Sequence, residues 1–138
     1  MAEFSKTTFY EQVLLNQLFS KEPFNVPDVL YLALCTGDPG PDGSTASEIS
    51  DPAYSRQPIT SWTAAEKHES GSGSFVQNLL DVDFPQASVD WGRVAYGVLL
   101  DAPTGGNAYY KGAFDVAKEV LAGDIFQVPA GELKVVED

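Results

Sequence analysis

At 138 residues the chain has room for one domain with a modest core, and its 43% apolar content is ordinary for a soluble globular protein. Its net charge of −12, from 20 acidic and 8 basic residues, argues against direct contact with nucleic acid, because phosphate recognition needs clustered Lys and Arg. The longest unbroken apolar stretch, residues 29–35, is far short of a membrane span, and the first residues lack the basic-then-apolar order of a secretory signal. The expectation is a protein made and used in a cytosol, with no membrane contact. The acidic balance suits solubility at high copy number, or a partner with a basic surface.

The N-terminal segment, residues 1–22, is predicted to be helical and to form the first element. Thr8-Phe9-Tyr10-Glu11 has the form of a capping box, with Thr8 as the cap. Phe9, Val13, Leu14 and Leu18 then fall on one face, expected to pack on a sheet, and the helix should stop near Ser20 or Lys21, before Pro23. Pro23 and Pro27 bracket an extended linker. Residues 29–35 are apolar on both alternations and predict a central strand covered on both faces. Residues 36–52 make a long acidic loop rich in Gly, Pro and Ser. A strand over 56–62 contains Pro58, which places it at a sheet edge or a bulge. Residues 63–74, with Gly71-Ser72-Gly73, read as a second long surface loop.

Residues 75–84 read as one strand with Val76, Leu80, Val82 and Phe84 inward and Asn78 as the imperfect inner position. Further strands are predicted at 94–100, 108–114, 117–121, 125–128 and 133–136. Thr104-Gly105-Gly106-Asn107 is a tight hairpin signal and Gly123-Asp124 another. Short strands at regular spacing, punctuated by Gly, Pro, Asn and Asp, predict a mainly β, antiparallel sandwich or barrel with one N-terminal α-helix, residues 1–138 forming a single domain.

Candidate chemistry is thin. Asp38, Asp42 and Gly43 resemble positions one, five and six of a calcium loop. Gly40 and Ile49 occupy the third and twelfth places, however, and Glu48 is one place early. Asp81 and Asp83 share a strand face, as a glycosidase pair would, but exposed carboxylates commonly do so without catalysis. Gly71-Ser72-Gly73 and Gly105-Gly106 lack the lysine and the helix of a phosphate-cradling loop. Cys35 lies in the most apolar run, away from the single histidine, His68, and reads as a small buried hydrophobe. Of the adjacent tyrosines Tyr109 and Tyr110, one is expected in the core and one exposed. Trp62 and Trp91 are expected in the core or in a protein interface. No catalytic, cofactor or metal residues are assigned, and no cofactor is expected.

The order of several pieces carries a resemblance. Leu30 to Cys35 runs into Thr36-Gly37-Asp38-Pro39-Gly40. Tyr54-Ser55-Arg56-Gln57-Pro58-Ile59 follows, then Phe84-Pro85 through Trp91-Gly92, Gly105-Gly106-Asn107, Gly123-Asp124 and Pro129-Ala130-Gly131. Together they resemble the small phage virion proteins labelled "phage tail fibre protein", whose relatives include capsid cement proteins of tailed phages. The resemblance implies a non-enzymatic virion protein, made in the host cytoplasm and present as a homotrimer. The first expectation drawn from it is a cement protein bound to the major capsid protein on the outside of the head. A small one-domain chain shows no shaft or attachment segment, which favours that reading. The alternative is a tail fibre or baseplate component contacting the host surface.

Overall fold

The computed structural model of the chain describes residues 2–137. Chain order gives β1 (Ala2–Lys6), α1 (Thr8–Leu18), β2 (Leu30–Cys35), β3 (Gln57–Ile59), β4 (Glu66–Lys67) and β5 (Ser74–Gln77). Then come β6 (Val82–Asp83), β7 (Gly92–Leu100), β8 (Ala108–Val120), β9 (Gln127–Val128) and β10 (Leu133–Glu137). The fold is mainly β with one helix, as the turn residues predict. Eight strands form one curled sheet in the order β3-β2-β7-β8-β1-β10-β5-β4, while β6 and β9 pair separately. All pairings are antiparallel except β1 with β10.

The two ends of that order are parts of one stretch of chain, residues 57–67. Its first part pairs with β2 and its last part with β5. Between them Trp62 bridges Asn78, with Thr63 N–H donating to the Gln77 carbonyl at 2.9 Å and Leu79 N–H to the Ser61 carbonyl at 3.0 Å. The sheet therefore closes on itself in the manner of a small barrel, a geometry that leaves little free edge apart from residues 113–120 of β8. Pro58 sits in this junction strand, where a missing N–H is tolerated.

Inward alternation around the ring builds the main core. Phe4, Leu32, Leu34, Leu99 and Leu133 are fully buried there, joined by Val82, Phe84, Phe126 and Val128 from the small sheet and its flanks. Phe4 comes from a strand that the sequence reading missed: the first element is β1, not the helix. Its ring fills the space left by two inward glycines. A Cβ on Gly97 or on Gly112 would stand 2.7 Å from the Phe4 ring. The first three residues of β1 pair with β10 and the last two with β8, so this short strand joins the two halves of the ring.

Ala33, Cys35, Val98 and Leu100 form a second cluster, outside the ring. A β-bulge explains why Val94 faces the first cluster and Val98 the second. Tyr96 pairs with Ala113 but Val94 pairs with Lys118, so four residues of β8, 114–117, oppose Ala95 alone. An odd residue in one strand reverses the faces beyond it. The two strands expected at 108–114 and 117–121 are accordingly one long strand, β8, interrupted by this bulge. The strand expected over 75–84 is instead broken at Asn78. Its amide donates to the carbonyls of Leu80 (2.9 Å) and Pro129 (3.1 Å) and accepts from the N–H groups of Gly131 (3.1 Å) and Leu133 (3.0 Å). This buried side chain takes over ladder bonds that a continuing strand would have made.

The helix cap is Thr7, one residue earlier than expected. Its hydroxyl accepts from Tyr10 N–H at 3.3 Å and donates to the Ala108 carbonyl at 2.6 Å, so it fixes the helix to β8 as well as starting it. Phe9 and Tyr10 lay their rings against Tyr109, and Tyr10 also meets Tyr110. Phe9, Val13 and Leu14 are half-buried on the side toward the sheet, but Leu18, expected with them, is 62% exposed, because the sheet is met only by the first two turns; no helical residue is fully buried. Neither tyrosine of the pair is exposed. Tyr109 is buried beneath the helix, and Tyr110 packs against the main core with its hydroxyl donating to Glu137 at 3.1 Å.

Candidate interaction surfaces

Residues 36–50 are bound to the barrel as a strap. Ile49 reaches the main core, and its N–H donates to the Leu34 carbonyl at 3.1 Å. Gly43, at φ +67°, lies so close to Ala108 and Thr7 that a Cβ would stand under 3 Å from both. Only a glycine fits there, since it needs neither a side chain nor a negative φ. The strap and α1 together cover the outer cluster over Val98 and Ala33, which explains why residues 30–35 are apolar on both alternations.

Two buried polar groups hold the strap. Arg56 Nε and Nη2 donate to the two Glu48 oxygens at 2.8 and 2.9 Å, while Nη1 donates to the carbonyls of Ala102 (2.9 Å) and Gly105 (2.8 Å). One guanidinium thus ties the strap to the β7–β8 turn. Tyr54 completes the knot, its hydroxyl donating to Glu48 at 2.7 Å and accepting from Leu34 N–H at 3.0 Å. Farther along, the Asp51 carboxylate accepts from Trp91 Nε1 (2.8 Å), Ser88 N–H (2.7 Å), Ala53 N–H (2.9 Å) and the Ser88 hydroxyl.

Those donors, the Ser88 hydroxyl and the Trp91 indole foremost, hold the Asp51 carboxyl well below the usual carboxylate range against the opposing effect of burial. A carboxyl more acidic in the folded than in the unfolded chain contributes stability that is complete above its unfolded pKa of about 4. That contribution is lost as pH falls through the lower folded value. The urea midpoint of the wild type should therefore fall on acidification from about pH 5 to about pH 2, and Asp51→Asn should flatten that fall while lowering stability at neutral pH. Parallel curves for the two proteins would contradict the assignment.

The residues singled out for chemistry are dispersed. Glu48 is engaged by Arg56, and Asp38 accepts from Gly40 N–H at 2.8 Å in a local turn, so the calcium-like spacing is not brought together as a ligand set. Asp81 and Asp83 accept from Ala130 N–H (2.8 Å) and Gln127 Nε2 (2.6 Å), tying the β5–β6 segment to the β9 region. Gly71 and Gly73 turn the β4–β5 hairpin, and Gly105 and Gly106 turn β7 into β8, all at positive φ. His68 lies in the β4–β5 hairpin with Nε2 3.2 Å from Glu3, while Cys35 is buried under the strap. Desolvation, with Glu48 nearby, pushes the Cys35 thiol up to about 12, which suits packing and not nucleophilic attack. Trp91 is a core residue, and Trp62 is half-buried with Nε1 donating to the Ile59 carbonyl at 3.2 Å. Among the described residues no group of three or more His, Cys, Asp or Glu side chains is placed to hold a metal ion, and no helix is long and apolar enough to cross a membrane.

Two apolar features stand out on the surface. Leu15, Leu18 and Phe19 at the end of α1 are 57%, 62% and 72% exposed. At the β8 bulge an open cleft of about 340 Å³ is lined by Phe114, Val116, Phe126, Val128 and Pro129, with Asp115, Lys118 and Glu132 also on its wall. Both features suit protein contact. Residues 5–136 match the family described as Podophage GP4 fiber I protein gp80. The chain belongs to that family. A comparison with curated proteins found no match. The family match spans the helix, the strap and nearly the whole barrel, so it covers the fold and not one motif. Membership makes the chain a bacteriophage structural protein of the fibre type, a component of the virion.

Proposed function

We propose that the chain is a non-catalytic subunit of a podophage-type tail fibre, assembled as a homotrimer. The observation that carries this reading is the family match over residues 5–136, whose description names a fibre. Two observations support it physically: the polar groups buried in the strap and at Asn78 are consumed in holding the fold, and exposed apolar side chains gather at the end of α1 and at the β8 bulge. Closure of the eight-stranded sheet also limits the strand edge available for unplanned pairing, although residues 113–120 of β8 are paired on one side only. Contacts between copies are therefore assigned chiefly to side-chain surfaces.

Deleting the gene separates the fibre from the head. Fibre function predicts heads that retain DNA on heating as the parent phage does, together with a loss of adsorption to host cells. Heads that release DNA at lower temperature while adsorption stays normal would instead put the chain on the capsid as a cement protein.

A further inference from the structure

Helix α1 is apolar on two opposite sides. At about 100° per residue, Phe9, Tyr10, Val13 and Leu14 cluster on one side, which lies on β8. Leu15, Leu18 and Phe19 fall on the other at spacings of three and four, and all three are more than half exposed. An isolated small barrel gains nothing from that second stripe, since exposed leucine and phenylalanine at helical spacing leave apolar surface in water. The following segment adds Val26, 74% exposed.

We infer that this outer stripe of α1 is where copies of the chain meet, helix against helix. The inference rests on the assembled fibre subunit proposed above and names the face that assembles it. Charge selects the occupant. The chain carries −12, yet residues 12–20 contain no Asp, Glu, Lys or Arg, and residues 21–27 add one Lys and one Glu. The window 12–27 is therefore neutral, one positive against one negative, on an otherwise acidic protein. Like-charged copies repel through their acidic surfaces, and a neutral apolar window lets them approach without that cost. A basic partner would be drawn to the acidic surface and has no electrostatic preference for this window.

Size and shape agree with that occupant. The three stripe residues and Val26 expose roughly 450 Å² between them, the middle of the range for an ordinary monomer's largest patch, and so would supply part of an interface. A stable interface buries about 800 Å² per partner, somewhat more than half of it apolar. Spacing of three and four residues also forms the ridge that packs into a neighbouring helix. Lys21 helps at the helix end: its Nζ donates to the Leu18 carbonyl at 2.9 Å, so a positive charge sits where the helix C-termini would converge.

The test uses the purified full chain and mass-resolved light scattering over a dilution series in the micromolar range. The wild type should give a multiple of its 14.9 kDa chain mass. The triple variant Leu15→Gln, Leu18→Gln, Phe19→Ser should run at the single-chain mass and associate at least tenfold more weakly. These positions lie outside the core, so circular dichroism should stay as in the wild type, and the urea midpoints should agree at dilutions where the wild type is also monomeric. Val116→Gln, at an equally exposed apolar position on the β8 bulge, should keep the wild-type mass. A triple variant that assembles as the wild type does would overturn this face while leaving assembly standing. A wild type that is monomeric throughout would overturn the inference itself, and the adsorption experiment would still decide the fibre reading.

Discussion

Replacing Arg56 with alanine should lower the unfolding free energy by about 3–5 kcal/mol, the usual cost of removing one partner from a buried, hydrogen-bonded ion pair. The loss is large because Arg56 serves three segments at once. Its removal leaves the Glu48 carboxylate without its bidentate partner and strands the carbonyls of Ala102 and Gly105. Tyr54 still donates to Glu48, but a single hydroxyl cannot balance a buried charge. Local effects should precede global ones. The strap rides on Glu48 and covers Cys35, so the Cys35 thiol should become reactive to a thiol reagent well below the concentration of urea that unfolds the barrel. Urea unfolding followed by fluorescence, together with timed thiol labelling, checks both. A loss under about 1 kcal/mol would mean that the pair behaves as a solvated surface bridge.

Phe4→Ala should cost a similar amount, about 3–5 kcal/mol, by the different mechanism of an unfilled cavity. Phe4 is fully buried, meets the Phe114 ring at 5.9 Å, and fills the hollow over Gly97 and Gly112. No neighbour can collapse into that hollow easily, because its floor is backbone. The strand that carries Phe4 also joins β8 to β10, so the substitution loosens one of the two places where the halves of the ring meet, residues 57–67 being the other. Leu18→Ala, on the exposed side of α1, should by contrast leave the urea midpoint almost unmoved when both proteins are measured at a dilution where the chain is monomeric. Measuring both by chemical denaturation tests whether the barrel, and not the helix, carries the stability. A larger loss from Leu18→Ala than from Phe4→Ala would contradict that division.

The turn residues made the β architecture legible. Gly105-Gly106-Asn107 turns β7 into its partner β8, and Pro58 sits in a short strand where the ladder can spare an N–H. Gly123-Asp124 also turns the chain, but it is not the expected hairpin, because β8 before it pairs with β7 and β1 while β9 after it pairs with β6. The central strand was legible too, since unbroken apolarity over residues 30–35 demands cover on both faces. Other features were carried by distant pairings that local patterns do not encode. Ala2 and Phe4 alternate as an inward strand face, but a five-residue strand with one large apolar side chain has little signal of its own. The closure of residues 57–67 onto both β2 and β5 depends on a bend in the middle of that stretch, where no glycine or proline marks it. Asn78 was visible as a polar residue at an inner position. That it ends the strand became clear only from its bonds to Pro129, Gly131 and Leu133 on a distant segment.

The sites followed the same division. The helix cap was expected at Thr8, and the structure places it at Thr7, whose hydroxyl is held by Ala108 on β8. Glu48 and Arg56 looked like ordinary loop and strand charges, because burial of an ion pair is a tertiary property with no local pattern. The outer stripe of α1 was readable from the spacing of Leu15, Leu18 and Phe19. It was hidden by the presence of a second apolar stripe on the same helix, which makes the helix look only weakly amphipathic.

The most direct test of the central claim is to locate the chain on intact particles. Gold-labelled antibody raised against the purified protein, viewed by electron microscopy on purified virions, should mark the fibres at the tail end and leave the head surface bare. Label spread over the head, or virions that carry none of the protein, would contradict the assignment to a tail fibre.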